Sequence, residues 1–98
     1  MIVVALLTVR RDTLEQFRAF ERGAAQVMAR HGGAIERALV LDAGDAETLR
    51  ELHVVRFPDE AARAAYAADP DLARLRPLRD ASVVSTEIWP ATEGPTYG

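Results

Sequence analysis

The segment IVVALLTV, Ile2 to Val9, is apolar at both parities: Ile2, Val4 and Leu6 alternate with Val3, Ala5, Leu7 and Val9. Successive side chains of a strand point to opposite faces, so a strand written this way has no face to give to water. It must sit in the middle of a sheet, and that sheet must be covered on both sides. The run is too short to span a bilayer as a helix. It also lacks the basic flank and small-residue cleavage site of a secretory signal, and the expected location is the cytoplasm.

The rest of the chain supplies partners for that strand. Leu14, Phe17, Ala24, Val27, Met28 and His31 recur at helical spacing and predict a long helix over Thr13 to His31, opened by Asp12 and Glu15 in the pattern of a capping box. Gly32 suits the left-handed residue that ends such a helix, and Gly33 eases the turn into a strand over Ile35 to Leu41. The polar stretch Asp42 to Thr48 joins that strand to a second, Leu49 to Phe57, as a hairpin. Asp59 is placed to cap a helix running to Ala68, with Ala61, Ala62, Ala65 and Tyr66 inward. Asp69 and Pro70 restart a short helix that Pro77 ends. A last strand covers Ser82 to Trp89.

This is one domain over residues 1–89 with a C-terminal tail, 90–98. The order β-α-β-β-α-β is the split βαβ, or ferredoxin-like, α+β arrangement, a four-stranded antiparallel sheet with two helices on one face. The fourth strand lies beside the first, then the third, with the second at the far edge. Two helices cover only one face. A second copy packed on the other would make a homodimer, and the alternative is that the tail covers it in cis.

Twelve basic residues, every one arginine, oppose fifteen acidic ones without a block of like sign, so no nucleic-acid or anionic-membrane partner is expected. With neither lysine nor cysteine, Schiff-base, P-loop and thiolate chemistry are excluded. Two isolated histidines give no metal site, and no cofactor motif is present. The remaining candidates are His31, either a helix-end residue or a proton shuttle, and His53, which faces the helices if Val55 and Phe57 do. Arg79, read as lying in a loop, is a candidate carboxylate clamp or a partner of Asp80 or Asp71. Arg37, Tyr66 and Trp89 are candidates for ligand contact, with edge solvation or core packing as their structural alternatives.

HGG at 31–33, Phe57 and Pro58, Glu60 to Ala62, Tyr66, Leu78 and Arg79 together resemble the dimeric α/β-barrel superfamily. Within it, the chain looks most like the bacterial family catalogued as a domain of unknown function, DUF-1330. It departs from that pattern with Asp59 in place of Ser, Ala65 in place of Trp and Leu72 in place of Tyr. The resemblance implies two sheets packed as a barrel with helices outside, and, in the enzymes of the superfamily, a small-molecule cavity between sheet and helices. Two readings follow. One is a cofactor-free enzyme, of monooxygenase or isomerase type, on an apolar oxygenated molecule, with His31 or His53 as base and Arg79 or Arg37 holding the anion. The other is a non-catalytic binding or accessory homodimer.

Overall fold

The computed structural model describes all of residues 1–98. Strand β1 spans Ile2–Arg10, a single 3-10 turn Arg11–Thr13, helix α1 Leu14–Arg30, strand β2 Ala34–Gly44 and strand β3 Thr48–Arg56. Helices α2 (Glu60–Ala67), α3 (Pro70–Ala73) and α4 (Arg76–Ser82) then lead to strand β4, Val83–Ala91. The sheet runs β2-β3-β1-β4, and every pairing is antiparallel. This is the expected ferredoxin-like order, with the doubly apolar strand at its centre.

Register decides which side each residue serves. Val3, Leu7 and Val9 of β1 are buried under the helices, as are Leu49, Glu51, His53 and Val55 of β3, paired across from them. Ile2, Val4 and Leu6 point the other way with their partners Arg56, Val54 and Leu52. Core packing gathers in two small clusters: Val3, Met28, Val55 and Phe57 at one end, Leu7, Val9 and Phe17 at the other. Between them, the sheet-helix interface is not closed by apolar side chains.

Three local expectations are corrected. Pro77 begins a helix instead of ending one: it sits in the first turn of α4, where its missing N–H has no intrahelical partner to lose. Arg79 is therefore helical. Asp12 does not cap α1; it lies in the 3-10 turn, and Thr13, the N-cap, makes no side-chain capping bond. Of the four residues expected inward on α2, Ala62 and Tyr66 pack on the core whereas Ala61 and Ala65 are exposed.

Both glycines after α1 have structural work. Gly32 takes φ +73°, the left-handed region that L-residues avoid. Gly33 permits a close approach, since a Cβ there would stand 2.5 Å from the Phe57 ring and 2.7 Å from Met28 Cγ. Gly33→Ala is expected to lower unfolding free energy by about 1–3 kcal/mol through overpacking, read from the midpoint of urea denaturation.

Candidate functional site

The gap between the two core clusters is a cavity of about 300 Å³ roofed by α1, α2 and α4 and floored by β1, β3 and β4. Its walls are mostly apolar, among them Val3, Leu7, Phe20, Val55, Phe57 and Ile88. Polar groups enter from five elements: Glu21 on α1, His53 on β3, Arg63 and Tyr66 on α2, Arg79 on α4 and Thr86 on β4. A second lobe of about 340 Å³, between the helices, shares Phe20, Tyr66, Leu72 and Arg79 with the first and adds Arg76 and Asp80.

His53 faces this cavity because Val55 and Phe57 do, and strand alternation carries Glu51 with them. Its imidazole is buried. His53 Nε2 donates to Glu51 Oε1 at 2.8 Å, and the other oxygen of Glu51 accepts from Arg18 at 2.8 Å. Glu51 is only 2% exposed, a position a carboxylate holds only when its lone pairs are met. On the far side of the ring, Nδ1 stands 3.8 Å from Glu21 Oε2. Phe17 stacks obliquely near the ring, at 6.5 Å between centroids.

Burial pushes the Glu21 carboxyl up from its usual range against the opposing pull of His53, with Glu51 adding to the rise and Arg79 and Arg18 opposing it. The same burial, helped by the charge of Glu21, pushes the Tyr66 phenol up to about 12. Arg79 makes no ion pair with Asp80 or Asp71. Its Nη2 donates to Thr86 on β4 at 2.8 Å, which aims the guanidinium across the cavity while most of its donors stay free.

The other sequence candidates lie elsewhere. His31 is the C-cap of α1, and its Nε2 donates to Asp69 Oδ2 at 2.8 Å, tying α1 to the start of α3; it does not line the cavity. Arg37 pairs with Val54, and Trp89 with Val4, so both stand on the opposite face of the sheet and cannot join Tyr66 as walls. Sequence reasoning missed Glu21 and gave Glu51 no role. The signal for Glu21 was its phase: it falls four residues after Phe17 and three before Ala24, inside the apolar stripe of α1. No group of three or more side chains takes a metal-binding arrangement, and no helix is long and apolar enough to cross a membrane.

The hydrogen bond from His31 is the largest influence holding the Asp69 carboxyl below its ordinary range, followed by the backbone N–H of Asp71. A carboxylate favoured in the folded state stabilises it at pH values above about 4, and that contribution is lost as pH falls through the lowered value. Asp69→Asn is expected to melt below the wild type near neutral pH and together with it in acid well below pH 4, measured by thermal denaturation across a pH series.

No family model matches the chain, and no curated protein does. Solved structures do. A protein of unknown function from Rhodopseudomonas palustris superposes with TM-score 0.71 at 21% identity, over 94% of this chain and 83% of its own. SnoaB, a cofactor-independent oxygenase from Streptomyces nogalater, gives 0.64 at 16% identity over 95% and 94%. An antibiotic biosynthesis monooxygenase gives 0.67 at 17% identity over 97% and all of its own chain. What is shared is the fold. At such identities it leaves the chemistry to the residues of the site.

Proposed function

We propose that this chain is a homodimeric, cofactor-free enzyme acting on a small apolar oxygenated molecule, with a reaction that opens by removing a proton from an acidic carbon. The observation that carries this is the buried His53 imidazole, bracketed by Glu51 and Glu21 and opening on the same apolar cavity as the Arg79 guanidinium. Ionising a carbon next to a carbonyl needs a desolvated base and a donor for the oxygen on which the charge collects; both are within one small cavity. The carbanion is then reprotonated at another carbon, giving an isomer, or captured by dioxygen, as the fold shared with a cofactor-independent oxygenase suggests. The likeness to the DUF-1330 family belongs to this proposal.

Dimerisation rests on surface. The chain exposes 6201 Å², against ~5,500 Å² for a compact monomer of 10.7 kDa. Part of the excess belongs to the extended tail, residues 92–98, and the rest to uncovered surface of the folded domain. Its apolar part is the open sheet face, where Leu39, Leu52 and Leu6 lie abreast on neighbouring strands.

Two probes test the chemistry: an anthrone, followed by oxygen uptake, and a β,γ-unsaturated cyclic ketone, followed by the ultraviolet absorbance of its conjugated isomer. The wild type is expected to turn over one of them, and Arg79→Gln to do so about a hundredfold more slowly. Rates equal to a protein-free blank would overturn the enzymatic reading in favour of a binding module.

A further inference from the structure

We propose that Glu21, in front of His53, is the group that exchanges a proton with the bound molecule, and that this molecule is a carbon acid, carrying a C–H beside a ketone or quinone-type carbonyl. The inference rests on the enzymatic reading above and assigns its acid–base residue.

Three observations separate Glu21 from its neighbour. His53 is spoken for: one ring nitrogen bonds to Glu51, and its side chain is 5% exposed. Glu21 has 17% of its side chain exposed, the larger opening onto the cavity, and makes no hydrogen bond within the protein. It is also expensive where it is. A carboxylate inside the apolar stripe of α1, between Phe17, Phe20 and Ala24, gains nothing in packing that a leucine would not give. The charged and titratable groups facing it are His53 and Glu51 from β3, Arg79 from α4, Tyr66 from α2 and Arg18 from its own helix, while Arg63 of α2, which also lines the cavity, is held by Glu60. Burial outweighs their sum and raises the proton affinity of the carboxyl above its ordinary range.

The step balances without an oxidant. Glu21 as carboxylate takes the proton, the C–H bond breaks, its electron pair forms a C=C bond to the carbonyl carbon, and the C=O π pair moves onto the oxygen as C–O⁻. Arg79 donates to this oxygen through N–H groups not used on Thr86. Glu21, now a neutral acid, returns the proton to a different carbon of the conjugated system, and the C=O reforms. His53, 3.8 Å behind, positions the carboxyl and holds its charge in check without touching the substrate. Cavity size fits a ligand of two to three fused rings, the walls being mostly apolar and the volume about 300 Å³.

The test has two arms. In the first, β-naphthol, a planar mimic of an enol, is titrated into protein labelled with carbon-13 at glutamate carboxyls. The Glu21 resonance is expected to move on binding and that of Glu51 to stay; naphthol bound in the cavity with Glu21 unmoved overturns the proposal. In the second arm, turnover of the probe that the wild type accepts is expected to fall about 10²–10⁴-fold in Glu21→Gln, with the acidic limb of the pH–rate profile gone. Glu21→Asp should recover part of the rate. His53→Gln should retain turnover with that limb displaced, a change that packing damage alone would not produce. Full activity in Glu21→Gln with none in His53→Gln would make His53 the base and sink this proposal while leaving the enzymatic reading intact. Movement of Glu21 with naphthol but no turnover of any probe would overturn the enzymatic reading and this proposal with it, leaving Glu21 as a binding contact.

Discussion

Leu52→Arg is expected to leave the chain monomeric. Leu52 sits on β3 in the middle of the open sheet face, opposite Leu6 of β1 and Leu39 of β2. In a symmetric dimer each substitution is met by the same surface of the other copy, so two uncompensated guanidinium groups enter the apolar seam at once. An unpaired buried charge costs several kcal/mol, and ~4 kcal/mol already corresponds to about a thousandfold in dissociation constant. Sedimentation velocity at micromolar concentration reads the outcome, with the wild type expected to run as a dimer and the variant as a monomer. Arg37 and Trp89, assigned to ligand contact from sequence alone, belong to this face, and Trp89, 49% exposed in the single chain, serves as a fluorescence reporter of association.

The second large effect is expected at Glu51. Glu51→Ala removes at one stroke the acceptor for His53 and the partner of Arg18, and leaves a void where the side chain was buried. Leaving the buried His53 N–H without an acceptor costs about 1–3 kcal/mol, and the void left by the side chain adds to it. For a domain of this length, whose total stability is on the order of 5–15 kcal/mol, that is a large fraction. Arg18→Met leaves the Glu51 carboxylate, 3% exposed, with His53 as its one remaining partner, and should cost at least as much, because it is the carboxylate and not the 39% exposed guanidinium that cannot reach water. Urea denaturation of both single variants and the double variant gives the coupling between them. A Glu51→Ala loss below about 1 kcal/mol would mean that the buried relay does not hold the cavity floor.

Much of the fold was written in the chain. A strand apolar at both parities has to be central, and β1 is. Alternation in β3 correctly tied the orientation of His53 to that of Val55 and Phe57, but could not say which face the helices take, because β1 is equally apolar on both. That ambiguity is why Arg37 and Trp89 were grouped with a cavity they do not line. Pro77 misled because the same residue that stops a helix also starts one, and only the backbone after it distinguishes the two. His31 and Glu21 show the opposite lesson. The histidine stood out by type and serves as a helix end bonded to Asp69. Glu21 looked like one more charge on an amphipathic helix, although its phase put it inward.

The cavity between α1, α2, α4 and the sheet is expected to receive a small oxygenated ring system. A crystal structure of the wild type soaked with β-naphthol tests this most directly. The expected map shows the rings against Phe20 and Val55, with the hydroxyl oxygen within hydrogen-bond reach of Glu21 or Arg79. Density for naphthol only on the open sheet face, or a cavity closed by Phe20 and Tyr66 with no ligand inside, would contradict it.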